Sequence, residues 1–115
     1  MRLPNVEHAS VAQAKILDYL LSPSHSGGRS KAGFFRKFGF ERRSWRVLKD
    51  ALVRHGREHQ VAHVEASLFG TRYIIDGRIM SPDGRNRQIR SVWFTESEAD
   101  PPRFVTAYPL PRSRA

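Results

Sequence analysis

The chain has 115 residues, 39% of them hydrophobic, and it contains no cysteine. This length supports one domain with one modest core, and the lack of cysteine excludes a disulfide framework and a thiolate zinc site. No apolar run approaches the ~20 residues of a membrane-spanning helix, and the N-terminus lacks the apolar region of a secretory signal. We expect a single domain over residues 1–110 with a flexible basic tail at 111–115, located in the cytoplasm of its own or of a target cell.

The net charge of +9 is concentrated in one quarter of the chain. Residues 29–57 contain ten of the twenty cations and two of the eleven anions, so this segment carries a net charge of +8. A localised basic block is typical of proteins that bind a polyanion, and arginine is suited to phosphate. The alternatives are an acidic protein partner or a solvated helix face that only aids solubility. The candidate RNA- or phosphate-binding residues of this block are Arg29, Arg36, Lys37, Arg42, Arg43 and Arg46.

The spacing of apolar residues predicts three helices in the first half of the chain. They are Val11 to about Leu21, a second helix that begins near Ser30, and about Ser44 to His55. Ser10 is a suitable N-cap for the first helix, and Gly39 is a suitable C-cap for the second. Gly56 is expected to end the third helix, while residues 22–28 read as a loop.

After the third helix the pattern changes from helical to alternating, which predicts four strands. They are Val61–Ser67, Arg72–Met80, Gln88–Thr95 and Phe104–Tyr108. Pro82 and Gly84 form a strong turn signal between the second and third strands. The predicted fold class is therefore α+β, with three N-terminal helices packed on a four-stranded antiparallel meander.

The segment from His25 to Lys31 combines a histidine, two glycines and two cations just before a predicted helix. A histidine titrates near neutrality and could transfer a proton. Arg29 and Lys31 could hold a phosphate at the helix start. The alternative interpretation is a solvated loop beside a basic helix.

The last predicted strand offers a hydroxyl pair. Alternation places Thr106 and Tyr108 on one face and Val105 and Ala107 on the other, and Arg90 of the neighbouring strand could project beside the hydroxyls. Such a face suits phosphate binding and base stacking. The alternative is that threonine and tyrosine simply favour strands.

Three histidines recur every four residues, at His55, His59 and His63, which on one continuous helix would align three metal ligands. Gly56 and the strand-like residues 61–64 argue against such a helix. We therefore expect no metal site and no cofactor. A Gly-x-Ser-x-Gly hydrolase motif is absent from the sequence.

Taken together, these motifs resemble an uncharacterised family of small bacterial domains. The resemblance rests on Leu3-Pro-Asn, on His25-Ser-Gly-Gly-Arg-Ser-Lys-Ala-Gly-Phe-Phe and on Thr106-Ala-Tyr-Pro. Helices followed by a meander that ends in Thr-x-Tyr-Pro are also distantly similar to the barnase, EndoU, colicin and RelE group of RNase toxins. In this chain the histidine precedes the lysine by six residues instead of adjoining it.

The resemblance implies a metal-independent endoribonuclease of bacterial toxin type, acting on tRNA or other structured RNA, with an acidic antitoxin or immunity protein as partner. It implies proton transfer by His25, phosphate contacts by Lys31, Arg29 and Arg90, and orientation of the scissile group by Thr106 and Tyr108. The alternative is a non-catalytic RNA-binding or toxin–antitoxin interaction module that uses the same basic face. The oligomeric state stays open.

Overall fold

The structure is a computed structural model that describes residues 1–25 and 29–111, with positions 29 and 30 described by their backbone only. The predicted tail, from residue 112 onward, lies outside the described residues. Three helical segments are followed by a four-stranded antiparallel sheet, so the predicted α+β class is confirmed. The helical segments are α1 (Gln13–Lys15, continuing as a π-helical turn Ile16–Leu20), α2 (Arg29–Lys37) and α3 (Trp45–Glu58), with short 3-10 turns at Val6–His8 and Arg42–Ser44. The strands are β1 (Val61–Ser67), β2 (Gly70–Arg78), β3 (Gln88–Thr95) and β4 (Arg103–Pro109).

The start of the first helix differs from the prediction. Ser10 does not cap it; instead Ser10 forms a parallel bridge with Arg103 on the outer edge of β4. The Ser10 amide donates to the Pro102 carbonyl at 3.0 Å, and the Phe104 amide donates to the Ser10 carbonyl at 2.9 Å. The helix therefore begins only at Gln13, because the preceding backbone is extended along the sheet edge.

The end of α3 also differs from the prediction, because the helix continues through Gly56 to Glu58. A side chain at position 56 would place its Cβ 3.0 Å from the indole ring of Trp93. The glycine thus serves close packing between α3 and β3 rather than helix termination. Among the helices of the described chain, none is long and apolar enough to cross a membrane.

The four strands form a meander in the order β1-β2-β3-β4, in which each strand pairs with its neighbour in sequence. β1 and β3 have the predicted bounds, and β2 begins two residues earlier than predicted. A register shift on β4 pairs Val92 with Thr106 but Trp93 with Phe104, which leaves Val105 as the extra residue of a β-bulge. Val105 is consequently only half-buried, so the prediction that it lies in the core is wrong. The same prediction is confirmed for Ala107, which is fully buried.

The helices contact the sheet and share one hydrophobic core with it. The sheet contributes buried side chains from alternating positions, among them Ile75, Ile89 and Trp93. The ladder places Asp76, Arg90 and Tyr108 opposite one another on adjacent strands, at positions that alternate with the core residues.

A chain of hydrogen bonds crosses the core at His55, whose side chain is buried. The His55 Nε2 lies 3.1 Å from the Gly77 carbonyl oxygen, and its Nδ1 lies 2.9 Å from Ser91 Oγ. The same serine oxygen accepts a hydrogen bond from the Trp93 Nε1–H at 2.9 Å. Because a carbonyl only accepts, Nε2 carries the proton and Nδ1 accepts from the Ser91 hydroxyl. Burial lowers the pKa of His55 to about 4, so this imidazole is neutral near pH 7.

Candidate functional site

The candidate site lies where α1 and α2 meet the edge strand β4, and Tyr19 is its centre. The Tyr19 hydroxyl is 3.0 Å from Thr106 Oγ1, and the Lys31 ammonium donates to the same phenolic oxygen. Tyr19 belongs to the π-helical turn of α1, whereas Lys31 lies in the first turns of α2. Residues 87 positions apart in the sequence thus share one hydrogen-bonded cluster.

Positive charge surrounds the Tyr19 ring as well as its hydroxyl. Lys31 Nζ lies 4.7 Å from the ring centroid of Tyr19 and 5.9 Å from that of Tyr108, and Lys15 Nζ lies 5.6 Å from the Tyr19 centroid. Burial raises the pKa of Tyr19, but the hydrogen bonds with Lys31 and Thr106 and the charges of the two lysines outweigh it. The net result is a phenol whose pKa lies below its ordinary value, which makes it a better proton donor and a better partner for cations.

His25 is placed beside this cluster. Its ring meets the Tyr19 ring edge-on, with centroids 5.1 Å apart and planes at 83°. The backbone of the loop turns around Ser22, whose hydroxyl accepts from the amides of Ser24 and His25 at 3.4 and 3.1 Å. The predicted glycines at positions 27 and 28 and the side chain of Arg29 lie outside the described residues.

Arg90 forms the other end of the site. Its guanidinium binds the Asp76 carboxylate in a bidentate manner, at 2.7 Å through Nε and 2.9 Å through Nη2, and it stands opposite Tyr108 in the β3–β4 ladder. Hydrogen bonding to Asp76, and secondly to Tyr108, raises the pKa of Arg90 above its ordinary value. The carboxylate thereby fixes the guanidinium in one orientation next to the Tyr108 ring.

The arginines predicted to bind phosphate differ in their surroundings. Arg36, Arg42 and Arg43 line an open pocket of about 480 Å³. Arg42 also donates to the carbonyls of Leu17 and Leu21, so it holds the end of α1 as well as contributing charge. These acceptors are neutral carbonyls, and Arg42 forms no ion pair with any acidic side chain in the part of the chain that the structure describes.

Other members of the basic block contact acidic or aromatic groups at the surface. Arg43 forms an exposed ion pair with Glu41 at 2.7 Å, and the Arg46 guanidinium lies 4.7 Å from the ring centroid of Trp45. Lys37 is exposed at the end of α2. Arg85 was not predicted as part of this surface. Its guanidinium, on the β2–β3 loop, lies 4.4 Å from the Phe38 ring centroid and forms an ion pair with Asp83 at 2.6 Å.

Two further site residues were missed. Tyr19 was not recognised because its partners Lys31 and Thr106 lie 12 and 87 positions away in the sequence. Asp76 could have been found, because the hairpin turn at 81–85 sets a register in which Asp76 meets Arg90. Within the described residues, the three histidines considered as metal ligands do not converge on one point. The rings of His55 and His59 lie 4.8 Å apart, with His55 in the core network, whereas His63 on β1 lies 3.8 Å from Glu65.

Comparison with known proteins gives a family and a fold. Residues 2–111 match the family described as Domain of unknown function (DUF6883), and the chain belongs to that family. No curated protein matches the sequence. Among solved structures, the fold is similar to a chain of the contact-dependent growth inhibition toxin–immunity protein complex from Klebsiella pneumoniae 342. The two chains are 18% identical with a TM-score of 0.68, over 91% of this chain and 96% of that chain.

Proposed function

We propose that this domain is a toxin-type endoribonuclease that cleaves tRNA or another structured RNA without a metal ion, in the cytoplasm of the intoxicated cell. The observation that carries the proposal is the convergence of Lys31 and Thr106 on the Tyr19 hydroxyl, with the His25 ring 5.1 Å from the Tyr19 ring. The likeness in fold to a chain of a toxin–immunity complex supports a toxin-like role.

The proposed reaction is an intramolecular transesterification of RNA. A base removes the proton of the 2′-hydroxyl, the 2′-oxygen forms a bond to phosphorus, and the bond from phosphorus to the 5′-oxygen breaks. An acid protonates the departing oxygen, so the products are a 2′,3′-cyclic phosphate and a 5′-hydroxyl end. Cations stabilise the extra negative charge on the phosphorane, and that stabilisation is usually the largest single contribution.

The residues of the site supply these roles in the proposal. His25 transfers a proton, since imidazole does so near neutral pH. Lys31 and Arg90 contact the phosphate, and Thr106 and Tyr108 orient the scissile group. Tyr19 acts as a positioning residue, because its phenolic oxygen holds the Lys31 ammonium and the Thr106 hydroxyl at one point.

The basic block supplies RNA affinity in the same proposal. Exposed cations at Arg36, Lys37 and Arg43 suit the phosphate backbone of a folded RNA, which is recognised by its shape and charge. An acidic antitoxin or immunity protein would bind the same surface and exclude the RNA from it.

A second candidate is a non-catalytic RNA-binding or toxin–antitoxin interaction module. One observation favours it: Lys31 already donates to Tyr19 and Arg90 already binds Asp76, as in a polar cluster that stabilises a fold. The solved neighbour is a complex of a toxin with an immunity protein, and a likeness in fold to one of its chains is compatible with an interaction module.

Incubation of the purified domain with total RNA in excess chelator separates the two candidates. The enzyme should produce discrete fragments with 2′,3′-cyclic phosphate ends, and its expression should slow bacterial growth. The module should bind RNA in a salt-sensitive manner and leave it intact. Cleavage that disappears in chelator would contradict the metal-independent mechanism.

The matched pair Lys31→Gln and Lys37→Gln tests the site itself. Both lysines lie on α2 and both variants lose one positive charge, but only Lys31 contacts Tyr19. We expect Lys31→Gln to cleave about 10²-fold more slowly than Lys37→Gln, because a cation at the phosphorane contributes on that scale. Thermal melts check folding, and equal rates for the two folded variants would remove Lys31 from the reaction.

A further inference from the structure

The outer edge of β1 is largely open. β1 has seven residues, of which the last six are exposed, and it contains neither proline nor lysine, although a register shift against β2 leaves Ala62 as a bulge residue between Val61 and His63. Natural proteins usually protect an edge strand with such residues or by covering it. At the other edge of the sheet, Ser10 covers the start of β4. On β1, Met1 accepts from the Val61 amide at 2.7 Å, and no other segment of the described chain hydrogen-bonds to the outer side of residues 62–66.

The turn that follows β1 exposes two adjacent apolar side chains. Leu68 is 101% exposed and Phe69 is 82% exposed. Single exposed apolar residues are common, but two large ones together at a hairpin tip beside an open edge indicate an interaction surface. Val64, in the middle of the strand, is 42% exposed and adds a third.

The order of residues in β1 is complementary to itself. If two copies of β1 pair antiparallel about Val64, then His63 faces Glu65 of the second copy, and the regular ladder ends at the bulge residue Ala62. The symmetry repeats the pair, so both histidines meet a carboxylate. Pairing about Glu65 would instead place two carboxylates opposite each other, and pairing about His63 would place two histidines opposite each other. Opposite charges across strands stabilise a ladder, and like charges destabilise it.

The exposed tip fits the same register. In this pairing Leu68 and Phe69 of one copy extend past Val61 of the other and reach the side of Met1, which is 61% exposed. The ladder does not extend to Val61, because the Val61 amide already donates to Met1. The strand pairing and the apolar contacts therefore agree on one arrangement.

From this self-complementarity we propose that β1 is a homodimer interface, at which two copies join antiparallel about Val64 into one continuous eight-stranded sheet. The candidate sites lie at β4, the opposite edge of each sheet, so dimerisation leaves both of them accessible. The occupant of the β1 edge is a second copy of this chain, because pairing about Val64 places the His63 ring of each copy opposite the Glu65 carboxylate of the other.

Analytical ultracentrifugation of the whole chain tests the proposal through a charge reversal and its compensation. The unmodified protein should sediment at twice its 13.2 kDa mass. His63→Glu places glutamate opposite Glu65 twice, and we expect the dimer to weaken by about tenfold or more. The double variant with His63→Glu and Glu65→Lys places a lysine opposite a glutamate at both positions and should dimerise again.

His8→Glu is the matched control, because it makes the same charge change at an exposed position outside the hairpin. It should leave the dimer intact, and thermal melts should show that every variant is folded. A monomeric unmodified protein would overturn the proposal, and so would a His63→Glu variant that dimerises normally. Protection of the β1 amides only on addition of a different protein would overturn the assignment of the second copy.

Discussion

Acidification should destabilise this fold through His55. In the native state its Nε2–H donates to the Gly77 carbonyl, and its Nδ1 accepts from the Ser91 hydroxyl. Ser91 Oγ also accepts from the Trp93 indole, so every polar atom of the network has a partner. Protonation adds a hydrogen at Nδ1 that points toward the Ser91 oxygen, and the Ser91 proton then loses its acceptor. The network fits only the neutral imidazole.

The magnitude follows from the difference in pKa between the folded and unfolded states. Burial lowers the pKa of His55 from 6.5 to about 4, and the side chain is only 2% exposed. At about 1.4 kcal/mol for each pKa unit, the full effect is about 3 kcal/mol. The unfolded chain takes up the proton first as the pH falls. The contribution is therefore fully present above pH 6.5 and is lost progressively between pH 6.5 and pH 4.

Urea unfolding between pH 4 and pH 7.5 measures this loss. The unmodified protein should lose about 3 kcal/mol of unfolding free energy across the window, whereas His55→Gln should lose much less, although its stability at pH 7 is lower. His8→Gln is the control, because it removes an exposed histidine outside the core and outside the β1 hairpin and should keep the full slope. Asp83, with a pKa lowered to about 2, affects a lower pH range. An unchanged slope in His55→Gln would refute the reasoning.

Three further predictions concern packing and charge. Gly56→Ala should lower the free energy of unfolding by about 1–3 kcal/mol, measured by thermal or urea unfolding. Alanine has the better helix propensity, but its methyl group would lie 3.0 Å from the ring of the fully buried Trp93. Ala107→Asp should prevent folding because it buries an unpaired carboxylate, whereas Val105→Asp at the bulge should be tolerated far better. Circular dichroism measures the folded fraction of each variant, and an equal loss of signal in both would contradict the bulge. Arg43→Gln should reduce the salt dependence of RNA binding by about one unit of slope and leave the melting temperature nearly unchanged, since its side chain is exposed.

Local patterns predicted the sheet well. Alternation and turn residues set the bounds of β1 and β3 correctly, because strand period and turn chemistry are read directly from neighbouring residues. The bulge at Val105 was not predictable, because it depends on how β4 pairs with β3 and not on the residues of β4 alone. The one-residue shift moved this valine out of the core.

Helix ends and the site centre depended on contacts distant in sequence. Ser10 has the chemistry of a helix cap, but hydrogen bonds with β4 hold its backbone extended. Gly56 has the chemistry of a helix stop, but the indole of Trp93 requires it inside the helix. Tyr19 meets Thr106 only when the first and last thirds of the chain pack together, so no local pattern distinguished it from a core residue.

The pairing of Tyr19 with Thr106 also determines when during synthesis the site can form. Tyr19 and Lys31 are made early, but their partner lies in the last strand of the meander. A ribosome that has not yet translated β4 carries a chain with an incomplete cluster and with the outer edge of β3 still lacking its partner strand. The domain therefore acquires its candidate site only as the final strand joins the sheet, and a nascent chain truncated before residue 103 contains the early half of the site and none of the late half.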